Sequence, residues 1–193
     1  MIVKKHTISA SAILKKFSAY DLIIIAIMAA IGIAIKPIVA SVTHVISAPL
    51  MIPGGSLAGG LYMMWLVLAF AITGKYGSAT LVGLIQAIIV MLTGVPGSHG
   101  LMSLFSYVAP GLAVDILMLL LLVLCRRDFD RLASFLAGIA ANVMGTLAVN
   151  VIFFRLPPLF LALTILVATL SGGIGGAIAW ELYRVIKKYR LVR

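Results

Sequence analysis

Six apolar stretches constrain this chain more than any other feature of its sequence. They cover residues 21–35, 57–73, 76–92, 101–124, 132–153 and 159–181. Most approach the roughly 20 apolar residues with which a helix crosses the hydrocarbon core of a bilayer. Charged residues make up only 10% of the chain, against about 25% in an average soluble domain. The sequence therefore predicts an all-α membrane protein with six transmembrane helices, folded as a single integral membrane domain over residues 1–193.

Basic residues mark the ends of these stretches. The net charge of +10 would suit a nucleic-acid partner, but lysines and arginines that flank apolar stretches are typical of topology signals. With a cytoplasmic N-terminus, thirteen basic residues lie inside the cell and only Lys36 and Arg155 lie outside. We therefore expect both termini to be cytoplasmic, with residues 1–20 as a basic arm. We also expect a multi-pass protein of the cell membrane that binds no nucleic acid.

The first outer connection, residues 36–56, is predicted to be a long loop. It is semi-apolar and contains Pro37, Pro49 and Pro53. Long loops in compact proteins usually have a function. Two arrangements fit this one: a lid over the outer face, or a re-entrant or interfacial segment.

Small residues recur at every fourth position in two of the stretches, which lets another helix approach closely. One ladder is Ala26, Ala30 and Ala34, and the other is Ala133, Ala137, Ala141 and Gly145. Packing inside the fold and docking of a partner subunit both explain such a ladder. The sequence does not choose between the two faces.

Nothing in the sequence indicates catalysis. Ser98 and His99 are adjacent, so their side chains do not generally face each other, and no later histidine is present to act as a base. The three histidines show no metal-ligand spacing. The glycine-rich run at 171–176 lacks the lysine of a phosphate-binding loop. We therefore predict a protein that is not an enzyme and has neither a metal site nor a cofactor.

Polar and aromatic residues gather instead in the second to fifth stretches, towards their outer ends. We predict that eight of them form one substrate-binding site: Tyr62, Trp65, Gln86, Tyr107, Asp115, Asn142, Thr146 and Asn150. Polar groups that face lipid are costly, so these side chains should turn inward. Structural roles are the alternative to substrate binding. Residues 62 and 65 could belong to an interfacial aromatic belt, and residues 142, 146 and 150 could form hydrogen bonds between helices.

Four short motifs carry a family resemblance. They are GGLYMMW at 59–65, GKYGSA at 74–79, MLTGVPG at 91–97 and PGLAVD at 110–115. Together they resemble the substrate-binding (S) subunits of energy-coupling factor (ECF) transporters, particularly the YkoE-like group associated with thiamine and its hydroxymethylpyrimidine precursor.

The resemblance implies a six-helix subunit of a prokaryotic membrane. Such a subunit captures a small vitamin or vitamin precursor beneath its outer loops. It delivers the solute together with a transmembrane coupling protein and two ATPase subunits. The resemblance also implies that Ala26, Ala30 and Ala34 dock on the coupling protein.

One departure from the family pattern bears on the solute. The third stretch has Gly83, Gln86 and Val90 where acidic residues are expected, so a cationic thiazolium ring is less well matched. The outer residues would suit an anionic or neutral solute; they are Lys36, His44, His99 and Arg155.

A self-contained secondary transporter is the alternative function. In that case a buried carboxylate would carry protons across the membrane, and Asp115 is the residue placed to do so. Uptake of solute by the protein alone would distinguish this alternative from an S subunit.

Overall fold

Seven α-helices and one π-helical turn make up most of the chain in the computed structural model, which describes residues 17–47, 49, 53–94, 100–126 and 128–189. The helices are α1 (Ala19–Ala34), α2 (Lys36–Ser47), α3 (Gly54–Thr73), α4 (Ser78–Thr93), α5 (Ser103–Cys125), α6 (Arg131–Val149) and α7 (Pro158–Lys188). The π turn, Asn150–Phe154, continues α6. Most of the predicted basic arm falls on residues 1–16, which lie outside the described residues.

Five stretches of the described chain are long and apolar enough to cross a membrane. They are Ala19–Thr43, Gly54–Thr73, Gly100–Cys125, Arg131–Phe154 and Pro158–Lys188. The remaining predicted span, residues 76–92, corresponds to α4, which has 16 residues. At 1.5 Å per residue α4 is about 24 Å long, shorter than a hydrocarbon core of about 30 Å. The structure therefore confirms an all-helical multi-pass membrane protein, with five candidate spans and one shorter apolar helix.

Residues 36–47 differ from the predicted loop because they form α2. Pro37 lies in the first turn of this helix, where a missing N–H group costs little. The same proline cannot donate to the carbonyl group of Ile33, and the helix is interrupted at Ile35, between α1 and α2. The Ile35 amide still donates to the carbonyl oxygen of Ile31 at 3.1 Å, and Val39 donates to Ile35 at 3.1 Å, so backbone hydrogen bonds flank the interruption.

Close packing of α3, α6 and α7 forms the centre of the bundle. A Cβ atom on Gly138 of α6 would overlap the Gly172 carbonyl oxygen of α7, and one on Gly175 would overlap the Gly60 carbonyl oxygen of α3. Glycine is required at these crossings because the backbones themselves are in contact. The Ser171 hydroxyl adds polar contacts: it donates to the Leu57 carbonyl oxygen at 2.6 Å and accepts from the Gly60 amide at 2.9 Å.

The two small-residue ladders have different surroundings. In α6, Ala133, Ala137 and Ala141 are fully buried on a helix that packs extensively against α7 and α5. In α1, all three alanines are exposed; they are Ala26, Ala30 and Ala34. The α6 ladder therefore serves packing inside the fold, and the α1 ladder lies on the surface of the subunit.

An ion pair stabilises the end of the bundle where α3 finishes. Ser18 and Asp21 form a capping box at the start of α1, and Asp21 also pairs with Lys75 of the α3–α4 connection. The first turn of α1 is thereby joined to the end of α3. The opposite end, where α3 begins, holds a cavity lined by polar and aromatic side chains.

Candidate functional site

A cavity of about 250 Å³ lies between α2, the first turn of α3, α4, α5 and the end of α6. At roughly 30 Å³ per water molecule, it has room for about eight waters. Its wall is polar and aromatic in part, with amide, hydroxyl and phenol groups set among apolar side chains. A cavity of this kind, with a few polar groups that converge on it, is typical of a small-molecule site.

Six of the eight residues predicted for the substrate site line this cavity. They are Tyr62, Gln86, Tyr107, Asn142, Thr146 and Asn150. They come from α3, α4, α5, α6 and the π turn, so the tertiary structure brings together residues that are far apart in the sequence. Trp65 and Asp115 do not line the cavity.

Lys36 was not among the predicted site residues, yet it lines the cavity. Its ammonium nitrogen lies 3.8 Å from the ring centroid of Tyr107 and 5.2 Å from that of Tyr62. These are cation–π contacts, in which the negative face of each ring attracts the positive charge. The signal in the sequence is the position of Lys36, a lone cation at the end of an apolar stretch, and the tertiary structure places it on the cavity wall.

The first turn of α3 also faces the cavity, through Pro53, Gly54, Gly55 and Ser56. The N-terminal amides of a helix have no acceptor within the helix itself. Pro53, the N-cap residue, supplies no side-chain hydrogen bond to them. The Ser56 amide donates to the Pro53 carbonyl oxygen at 3.0 Å, and the two glycines leave the backbone accessible from the cavity.

The side-chain amide of Gln86 has no hydrogen-bond partner for its nitrogen atom, although the residue is only 4% exposed. Burial of an amide without a partner is costly. Gln86 lies in the middle of α4 and lines the cavity. Its nitrogen lies against α1, where a Cβ atom added to Gly32 would overlap it.

Asn150 is positioned by the π turn. Its side-chain oxygen accepts from the Leu156 amide at 2.9 Å, and its backbone carbonyl accepts from the Arg155 amide at 2.8 Å. Within the described part of the chain, no hydrogen bond occupies its side-chain nitrogen. π turns are frequent at functional sites, and this one holds the Asn150 amide at the cavity wall.

Asn142 has the structural role that its sequence also allowed, a hydrogen-bonded contact between helices. Its side-chain nitrogen donates to the carbonyl oxygens of Ser56 at 3.0 Å and Ala168 at 2.9 Å. Both donors of the amide are therefore used to join α6 to α3 and α7. Asn142 supports the cavity wall and fixes the first turn of α3.

Trp65 and Asp115 lie elsewhere. The indole ring of Trp65 packs near Gly32 of α1, and its nitrogen atom is buried without a partner. Asp115 accepts hydrogen bonds from the Thr80 amide at 2.9 Å and the Thr80 hydroxyl at 2.6 Å. Since Gly77, the N-cap residue of α4, has no side chain, the carboxylate of α5 caps α4 in its place.

Ser106 and Pro110 are among the other cavity-lining residues that were not predicted for the site. Pro110 lies inside α5 and has no N–H group to donate to the Ser106 carbonyl oxygen four residues earlier. A proline inside a transmembrane stretch can be seen in the sequence, and it marks a backbone carbonyl that lacks its usual helical hydrogen bond.

Comparisons with known proteins identify a matching family and a solved structure with a similar fold. The family described as "ABC-type cobalt transport system, permease component" matches residues 20–144, well over half of the chain. A solved structure described as "Crystal structure of an S-component of ECF transporter" superposes with a TM-score of 0.71 and 16% sequence identity, over 90% of this chain and 85% of that one. No curated protein matches significantly. The architecture is thus that of an ECF S-component.

Proposed function

Because this chain belongs to the family of ABC-type cobalt transport system permease components, we propose that it is the substrate-binding subunit of an ECF-type importer. It captures a small vitamin or vitamin precursor from outside the cell. It then delivers the solute together with a transmembrane coupling protein and two ATPase subunits. The observation that carries this proposal is the cavity described above, in which side chains from five separate helical elements converge.

An organic solute suits the cavity better than a free metal ion does. Divalent cobalt prefers imidazole, thiolate and carboxylate ligands. Among the described residues, no group of three such side chains lies together. The lining supplies amides, hydroxyls and aromatic rings, which bind organic rings through apolar contact and orient them by directed hydrogen bonds.

The partner surface proposed for this subunit is the exposed ladder of α1. Ala26, Ala30 and Ala34 face away from the bundle, and large apolar side chains flank them, including Ile23 and Ile27. Small residues of this kind let the backbone of a partner helix approach closely. This surface supports the docking of a coupling protein, whereas the α6 ladder is already covered by α7.

Ligand-dependent thermal stabilisation of the purified protein tests the proposed function. A ligand that binds only the folded state raises its stability in proportion to the logarithm of concentration over Kd. We expect at least one compound from a panel of vitamins and their precursors to raise the Tm. No stabilisation by any compound would contradict the proposal.

Two isosteric variants test whether the solute binds at the cavity wall. Thr146→Val removes a hydroxyl from the cavity wall and should weaken binding by about fivefold to tenfold, the value of one hydrogen bond. Thr169→Val is the matched control, because its hydroxyl donates to the Ile165 carbonyl oxygen of its own helix at 2.8 Å, away from the cavity. Equal affinities for the two variants would remove Thr146 from the site.

A further inference from the structure

The described lining of the cavity carries a positive charge and no negative one. Lys36 is the one charged side chain among the described residues that line it. The chain contains five acidic residues in all, and none of them lines the cavity: Asp21, Asp115, Asp128, Asp130 and Glu181. Three of them have partners elsewhere, since Asp21 pairs with Lys75, Asp115 bonds to Thr80 and Glu181 pairs with Arg184. No acidic side chain therefore balances the Lys36 ammonium.

An ammonium group withdrawn from water without a carboxylate partner is costly. The cation–π contacts with Tyr62 and Tyr107 offset part of this cost. A carboxylate on a ligand would supply the missing opposite charge, since within the described part of the chain Lys36 makes no ion pair. A ligand in the cavity can provide this counter-charge.

The α3 first turn adds positive potential on the same cavity. The aligned peptide dipoles of a helix give its N-terminus a partial positive charge that favours anions. Helix α3 has 20 residues and no capping side chain at Pro53. Gly54 and Gly55 bear no Cβ bulk that would shield these amides from the cavity.

The third observation is Gln86, a buried polar side chain on the cavity wall, whose unpartnered nitrogen lies on the Gly32 side of α4. It lies on α4, so it is independent of both Lys36 and the α3 terminus. An amide carries no charge and both donates and accepts hydrogen bonds. It therefore suits the polar edge of a neutral ring or a second polar substituent.

From these three features we propose that the solute is a small monoanion with one carboxylate or equivalent oxyanion. The anionic group binds between Lys36 and the first turn of α3, and the rest of the molecule lies against Tyr62 and Tyr107 within reach of Gln86. This inference rests on the proposed function and names its substrate class. A cationic solute is disfavoured, because its positive charge would lie beside the Lys36 ammonium on the same tyrosine rings.

Matched pairs of compounds that differ in charge test this inference. The purified protein is titrated with nicotinate and nicotinamide, with pantothenate and pantothenol, and with biotin and biotin methyl ester. Thiamine supplies a cation, and its hydroxymethylpyrimidine precursor a neutral ring. We expect at least one carboxylate to stabilise the protein and to bind about thirtyfold or more tightly than its neutral partner, the effect of losing one partner of a buried charge pair.

Lysine variants connect this preference to the site. Lys36→Met should abolish the preference for the carboxylate within the pair, while Lys36→Arg, which keeps the charge, should retain most of it. Because the preference is a ratio measured on one variant, a change in overall stability does not imitate the effect. Lys187→Met is the matched control, since Lys187 also lies over a tyrosine ring, 5.5 Å from the Tyr183 centroid, but outside the cavity.

Three other results would overturn the inference. Binding of a neutral or cationic compound with equal or higher affinity would show that the site does not select anions, while leaving the proposed function supported. A carboxylate preference that survives in Lys36→Met would place the anion elsewhere. Failure of the whole panel to stabilise the protein would contradict the proposed function as well.

Discussion

Polar residues in the apolar stretches fall into two groups at the scale of single side chains. Asn142 and Asp115 direct their hydrogen bonds to other helices and hold the bundle together. Gln86 and Lys36 lack such partners and line the cavity. Sequence pattern cannot separate the groups, because the distinction depends on which backbone carbonyl or amide comes within about 3 Å of each side chain.

Asp115→Ala tests the structural role of the carboxylate. The change leaves the Thr80 amide and hydroxyl without their acceptor, so we expect the free energy of unfolding to fall by about 1–3 kcal/mol. Affinity for the solute should stay within about twofold of the unmodified protein, because Asp115 does not line the cavity. Thermal unfolding and ligand titration of the purified variant measure the two effects.

Thr80→Val is the partial control, since it removes the hydroxyl donor at 2.6 Å and keeps the amide donor at 2.9 Å. It should destabilise the protein less than Asp115→Ala does. If Asp115→Ala lost solute binding while its stability stayed unchanged, Asp115 would belong to the substrate site. Uptake by the protein alone in liposomes, abolished by Asp115→Asn, would favour a proton-coupled transporter.

Backbone contact between helices is the main feature at the scale of the elements. Helices α6 and α7 meet through Gly138, Gly172 and Gly176, where added side-chain atoms would overlap the facing backbone. In a bilayer the lipid tails are as apolar as the side chains, so close van der Waals packing drives helix association. The glycine-rich run at 171–176 is therefore a packing surface.

Gly138→Ala should lower the free energy of unfolding by about 1–3 kcal/mol, the usual cost of overpacking. The new methyl group would overlap the Gly172 carbonyl oxygen and force α6 and α7 apart. Gly55→Ala is the control, because nothing lies within 4 Å of the Cβ position there; it should change stability by less than about 0.5 kcal/mol. Equal thermal unfolding temperatures for the two variants would contradict the tight crossing.

The whole molecule presents two separate surfaces with proposed roles. The cavity lies where α3 begins, and the exposed alanine ladder runs along the outside of α1. The two are connected through α1 and α2, which meet at Ile35, next to Lys36. A subunit that binds solute on one surface and a partner on the other requires this separation.

Ala30→Trp tests the partner surface. The indole ring would prevent close approach of a helix backbone, so the yield of complex with the coupling protein and ATPases of the same organism should fall by at least tenfold in co-purification. Solute affinity of the isolated subunit should not change. Ala162→Trp, on an exposed position of α7, is the matched control and should assemble normally. Normal assembly of Ala30→Trp would exclude this face of α1.

Much of the architecture was predictable because the bilayer imposes simple rules. Apolar length predicted the helices. Some ends agree within a few residues, as in 132–153 against Arg131–Val149 with its π turn, whereas α7 extends to Lys188, beyond the predicted end at residue 181. Residues 36–47 were misjudged because prolines suggested a loop, although a proline in the first turn of a helix is well tolerated.

The sequence by itself determined that the chain is a helical membrane protein, since a polar backbone survives in hydrocarbon only when its hydrogen bonds close within each segment. It also identified most of the polar residues around the cavity, because such residues must avoid lipid. Only the tertiary structure decided which ladder is buried, that Lys36 turns into the cavity, and that Asp115 caps α4 outside it. Those outcomes depend on the angle and rotation of each helix, which are set by contacts between residues distant in the sequence.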